Sequence, residues 1–239
     1  LGFVAHSLII QGIRWSGEGL AYAYLSGQDT SVETRDAAIR KLITVRRLSL
    51  AQTTTVLVSL GSLTGADGAA YYAEALEVDP MSQAAALGLG QISAKLGNWQ
   101  RGYEALSGIE PSTEFCRLGW YETLADCQVG LTQLEAAAGS YRQDLKWDPE
   151  RSVWKLNMTL SRIELHKGNK NGAVQYSERA RMARPLDLGV LAVWAQIVVD
   201  AGQTEAVLSK LVVRPSEDVE SWYAASVLYR MRGDLETSR

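Results

Sequence analysis

"LEVDPM" at 76–81 and "LKWDPE" at 145–150 are the same phrase written twice: an apolar helical run, an aspartate, then a proline. Proline lacks an amide hydrogen and clashes with the preceding turn, so each phrase reads as a helix stop. Weaker copies follow the same grammar. The five prolines, Pro80, Pro111, Pro149, Pro185 and Pro215, lie 31, 38, 36 and 30 residues apart. Each closes an apolar-periodic run: "YYAEALEVDP", "RGYEALSGIEP", "GSYRQDLKWDP", "SERARMARP" and "SKLVVRP". A chain that places every proline at one recurring spacing, and none inside a helical pattern, is predicted to be a repeat protein.

A second comb interleaves with the first. Gly27, Gly65, Gly97, Gly130, Gly168, Gly202 and Gly233 step by 38, 32, 33, 38, 34 and 31 residues. Glycine closes a helix C-terminus in the left-handed conformation without steric cost. Glycine therefore marks the turn within a helical hairpin and proline the turn between hairpins. Sustained period-2 alternation with hairpin dipeptides is absent from the sequence. The most β-branched stretch, "TTTVLVSL" at 53–60, lies in phase with the glycines and is predicted to be helical against its local propensity.

The residues between the combs resemble the tetratricopeptide repeat. The third unit carries Leu89, Gly90, Gly97, Trp99, Tyr103 and Pro111, and the fourth Tyr121, Leu124, Ala125, Ala137, Tyr141 and Pro149. The fifth has Leu160, Ser161, Gly168, Ala173, Ala180 and Pro185; the sixth has Trp194, Ala195 and Gly202; the last has Trp222, Ala225, Ser226, Tyr229 and Gly233. The resemblance is clear over 65–239, while 14–64 is degenerate and matches by glycine phase alone; in the first two units, 14–80, only "YAEALEVDP" at 72–80 is a good match. It implies an all-α, right-handed α-solenoid of about seven antiparallel hairpins. Small residues let helices approach closely, and each hairpin has an apolar face that only a neighbour can cover.

Composition fits this reading. The chain has 239 residues, 46% hydrophobic and 21% charged, with net charge −3. A nucleic-acid binder would usually show a basic face, so no nucleic-acid partner is expected, and an RNA-reading repeat is the weakest of the rivals. Cys116 and Cys127, placed on one helix, would lie roughly 16 Å apart and could not bridge. With two cysteines and two histidines, no metal site or cofactor is expected. His166 is read as a helix-end cation. The motifs HExxH, GxSxG, GxxxxGK[ST] and CxxC are missing, and "GLGQ" at 88–91 falls mid-helix, so no catalytic residues are assigned.

The opening "LGFVAHSLIIQGIRW" holds an apolar segment, 1–13, followed by Arg14 and Trp15. Two readings stand: the end of a transmembrane helix, giving membrane contact, or an amphipathic first helix packed on the next. The final "GDLETSR" begins a second helix, so the array is expected to continue past Arg239. The basic run "RKLITVRR" at 40–47 is either a partner or lipid contact or a solvated helix face. Trp147 is expected to fill the seam beside Pro149.

In such repeats the concave surface is lined by the first helix of each unit. Phase counted from the glycines places Leu87, Gln91, Arg117, Trp120, Lys155, Met158, Arg162, Ala192, Gln196, Tyr223, Val227 and Arg230 there. This lining does not match the carboxylate-clamp domains of the family. The expected role is a protein–protein interaction scaffold that binds a peptide or partner subunit in the groove, with a membrane tether through 1–13. The alternatives are an accessory domain of a larger membrane protein, as in bacterial glycan polymerases and ligases with tetratricopeptide tails, or a subunit that self-associates through open array ends.

Overall fold

The computed structural model describes residues 2–48, 53–211 and 218–233, which fold into helices and turns. In chain order the α-helices are α1 (Gly2–Leu25), α2 (Val32–Leu48), α3 (Thr54–Thr64), α4 (Ala69–Val78), α5 (Gln83–Lys95), α6 (Trp99–Ser107), α7 (Thr113–Arg117), α8 (Trp120–Gly130), α9 (Leu134–Asp144), α10 (Val153–His166), α11 (Lys170–Ala183), α12 (Leu188–Asp200), α13 (Thr204–Leu208) and α14 (Val219–Arg232). A 3-10 turn, Gly65–Gly68, joins α3 to α4.

The two aspartate–proline phrases have the same local geometry. The Asp79 carboxylate accepts from the Met81 amide at 3.1 Å, and the Asp148 carboxylate accepts from the Glu150 amide at 3.2 Å. These are turns in which the side chain mimics a backbone carbonyl and redirects the chain around the proline. Pro80, Pro111, Pro149 and Pro185 all fall between helices. Pro215 lies outside the described residues. Helix starts are capped by side chains: Ser82, Asn169, Asp187 and Asp218 accept from Ala85, Gly172, Val190 and Ser221 amides.

The glycine comb turns between helices as expected at Gly27, Gly65, Gly97, Gly168 and Gly202, and Gly233 caps the end of α14; all six have positive φ. It fails at Gly130, the last residue of α8; Thr132, at φ 61°, makes that turn instead. Gly119, at φ 90°, is a turn outside the comb. It separates α7 from α8, so Cys116 and Cys127 sit on different helices, each buried and outside any disulfide.

The chain divides into two compact units, with the boundary between Cys127 and Gln128 inside α8. In the first, α1 pairs with α2, α3 with α4 and α5 with α6. Ala21, Ala38, Leu42, Val45, Val56, Leu60 and Leu63 form one core cluster, and Leu57, Tyr72, Ala75, Ala85 and Leu89 the next. The predicted helix at "TTTVLVSL" is α3. It buries Val56, Leu57, Leu60 and Leu63, and this burial outweighs the modest cost of β-branched residues in a helix. In the second unit α9 packs on α10, α10 pairs with α11, and α12 packs on α11 and α14. Trp194, fully buried, anchors a core with Met158, Leu191, Val198, Ala225 and Leu228.

α1 runs unbroken through 13–14 and packs on α2 through Ile10, Ile13, Leu20, Ala21 and Tyr24. Among the described residues no helix is long and apolar enough to cross a membrane. In the basic run, Arg46 is held by the Glu74 carboxylate at 2.7 Å and lies over the Tyr71 ring. Trp147 does not fill its seam; it is 39% exposed.

Candidate functional site

The first helices of the second and third hairpins, α3 and α5, lie side by side and leave a cleft of about 220 Å³. Its shape depends on Tyr72, contributed by α4. A Cβ at Gly61 of α3 would sit 2.8 Å from the Tyr72 ring, and one at Gly88 of α5 would sit 2.3 Å from it. Only glycine admits the ring at these two positions, so Tyr72 is wedged between α3 and α5. The Ser62 hydroxyl donates to the Val58 carbonyl at 3.0 Å, which leaves the Tyr72 hydroxyl to donate to Ser62 at 2.8 Å. Burial pushes the Tyr72 pKa up, with the Ser62 hydrogen bond opposing.

The cleft has an apolar floor and a polar rim. Ile92, Gly88 and the Tyr72 ring line its apolar part, with Leu96 exposed at the edge; Ser62, Gln91 and Lys95 supply the polar lining. Gln91 and Lys95 are four residues apart on α5, one turn of the same face. They are exposed. This arrangement suits an apolar side chain of a partner inserted between two helices, with its backbone or an acidic group meeting Gln91 and Lys95.

Of the residues placed in the groove by phase, Gln91 lines this cleft. Leu87 and Trp120 do not face solvent: they are 6% and 1% exposed, packed together with Ala86, Leu106 and Ile109. The cause is the extra short helix α7, which packs on α5 and places Phe115 edge-on to Trp120. Gln83 pins that insertion, donating to the Glu110 carbonyl at 3.2 Å and accepting from the Ser112 amide at 2.9 Å. Arg117, the last residue of α7, is exposed.

In the second unit Met158 is 6% exposed and belongs to the core, because α12 covers that face of α10. Tyr223 and Val227 are half-buried and pack against the same core. Lys155 and Arg162 are half-buried on α10, with the Lys155 ammonium over the Trp154 ring at 5.7 Å. Ala192 is half-buried. Gln196 is exposed and donates to Asp200 at 2.8 Å, and Arg230 is exposed. Among the described residues no group of three or more His, Cys, Asp or Glu side chains is placed to hold a metal ion.

Solved structures match this geometry. A structure from the functional characterisation of PilF of Pseudomonas aeruginosa superposes with a TM-score of 0.60 at 11% identity, covering 96% of each chain. A tetratricopeptide repeat protein from Parabacteroides merdae gives 0.59 at 13% identity, covering 94% of this chain and 90% of that one. The chain has the tetratricopeptide-repeat fold. Acl4, the assembly chaperone of RpL4, gives 0.56 at 16% identity over 93% of this chain and 98% of its own. No protein-family model matches the chain, and no curated protein does. In tetratricopeptide terms α3 and α5 are consecutive first helices, and the cleft lies between their C-terminal ends beside the Gly65–Gly68 turn.

Proposed function

We propose that the chain is a protein–protein interaction scaffold, and that the α3–α5 cleft takes an apolar side chain from a partner's peptide or helix. The observation that carries this reading is the cleft's construction: an apolar lining of Tyr72, Gly88 and Ile92 between α3 and α5, bordered by Ser62, Gln91, Lys95 and the exposed Leu96. Pockets that combine an apolar floor with a few convergent polar groups are the usual form of a recognition site. The tetratricopeptide fold of an assembly chaperone supports a protein partner. No bond is made or broken: the mechanism is burial of an anchor side chain, with the rim setting its orientation.

The test is binding by Gln91→Glu/Lys95→Glu, with Arg101→Glu on the exposed face of α6 as the control. A partner of the wild type should lose about tenfold in affinity or more to the double variant and none to the control. Equal binding by all three proteins would refute the cleft as the site.

A further inference from the structure

The chain has four asparagines, Asn98, Asn157, Asn169 and Asn171, and Asn171 alone is followed by glycine. An Asn–Gly step carries a latent reaction. The glycine nitrogen, unshielded by a side chain of its own, attacks the side-chain carbonyl carbon of the asparagine. A carbon–nitrogen bond forms, the side-chain amide leaves as ammonia, and a succinimide ring closes. Water then opens the ring to aspartate or isoaspartate. The other three asparagines precede Trp99, Met158 and Lys170, whose side chains crowd that nitrogen.

The fold explains why the vulnerable pair is present. Asn169 caps α11: its side-chain oxygen accepts from the Gly172 amide at 3.1 Å, and its side-chain nitrogen donates to the Glu164 carboxylate at 2.7 Å. Its backbone amide donates to the Glu164 carbonyl at 2.9 Å. Held at three points, Asn169 lies against position 172. A Cβ there would sit 2.5 Å from the Asn169 side-chain nitrogen and 3.2 Å from a Glu164 carboxylate oxygen. Glycine at 172 is therefore a requirement of the cap.

The same cap restrains the reaction that this glycine permits. The attacking nitrogen must give up its proton, and that proton is engaged by the Asn169 oxygen. Ring closure also requires Asn171 to leave the helical ψ of about −42°, and Asn171 is the second residue of α11. The Asn171 side chain is exposed but tied: it accepts from the side-chain amide of Gln203, the residue before α13. Reaction thus needs the first turn of α11 to open. Such local openings cost far less than global unfolding.

We infer that Asn171–Gly172 is a deamidation site gated by the Asn169–Glu164 cap, reacting from the opened first turn of α11 and not from the closed one. The two products act differently. Aspartate adds a negative charge in the first turn, where the helix dipole favours it. Isoaspartate lengthens the backbone by one atom, which breaks the turn and releases Gln203.

Peptide mass spectrometry of the full chain, aged at mildly alkaline pH, tests it. The wild type should convert Asn171 at least about tenfold more slowly when folded than in urea. Asn169→Ala should speed the folded reaction roughly fivefold, the rise in open fraction expected from losing a cap. Asn169→Ser, which restores a capping oxygen, should stay near the wild-type rate; circular dichroism checks that all three proteins are folded. Equal rates for folded and unfolded wild type overturn the inference. So does a folded Asn169→Ala protein that reacts at the wild-type rate, or ageing that converts another asparagine before Asn171.

Discussion

Ser152 donates its hydroxyl to the Asp144 carboxylate at 2.8 Å, and both residues are completely buried. They lie on either side of Pro149, so this bond ties the end of α9 to the start of α10. Arg151 adds a bridge to the same carboxylate at 3.5 Å and to Asp148 at 3.2 Å. The turn is thus held by a buried polar group as well as by the proline. Removing one partner of such a group leaves the other desolvated. Asp144→Ala should therefore destabilise the fold by about 2–4 kcal/mol, and Ser152→Ala by ~1–2 kcal/mol. Urea unfolding followed by circular dichroism measures both. A loss below about 0.5 kcal/mol for Asp144→Ala, the size of an ordinary surface substitution, would show that the proline alone sets the turn.

Glycine substitutions should divide by location. Gly88→Ala puts a methyl 2.3 Å from the Tyr72 ring and is expected to cost about 1–3 kcal/mol, because the ring cannot move away from Gly61 opposite. Gly12→Ala meets open space and should stabilise by ~0.5–1 kcal/mol. Thermal melts of the two variants should move in opposite directions. A shift of the same sign would contradict the packing described for Tyr72.

Trp120 is a core residue, so Trp120→Ala should act on stability. The expected loss is ~3–5 kcal/mol, with the cluster of Leu87, Leu106 and Ile109 opened. Loss of partner binding without loss of stability would place Trp120 at the surface instead.

Cys127 faces Gly102 inside the first unit, where a Cβ at Gly102 would sit 2.6 Å from its sulfur. Burial, reinforced by the nearby Asp126 charge, pushes its thiol up to about 11. The neutral thiol is the form the fold favours. Its contribution is fully present below the unfolded pKa of ~8.5 and is lost as pH rises through the folded value. Burial raises Tyr72 and Tyr121 in the same direction. Unfolding midpoints should hold steady to about pH 8.5 and fall above it, with a shallower fall in Cys127→Ala. An unchanged slope in that variant would remove Cys127 from the account. At pH 8 native Cys127 should react with iodoacetamide at least about 100-fold more slowly than in urea.

Much of the fold could be read from the chain because repeat boundaries depend on local chemistry. A proline stops a helix and a glycine turns it, whatever lies nearby. The one failure of the glycine comb is itself local: α8 continues to Gly130, and Thr132 takes the left-handed turn. The exposure of the residues chosen by phase was harder to read because it depends on residues far away in sequence. Counting phase chose Gln91, which lines the cleft, together with Leu87, one turn away, which is buried with Leu106, Ile109 and Trp120. Met158 is covered in the same way by α12. The wedge of Tyr72 between Gly61 and Gly88 joins three helices, and no spacing within one repeat announces it. "GLGQ" was legible as a mid-helix stretch, though not as the wall of a cleft.

Site-by-site photocrosslinking tests the central claim most directly. A benzophenone side chain placed at Gln91, on the rim of the cleft, should capture the partner. The same probe at Gln100 on α6, also exposed but outside the cleft, should not. Comparable capture at both positions, or capture at Gln100 alone, would contradict the assignment of partner binding to the α3–α5 cleft.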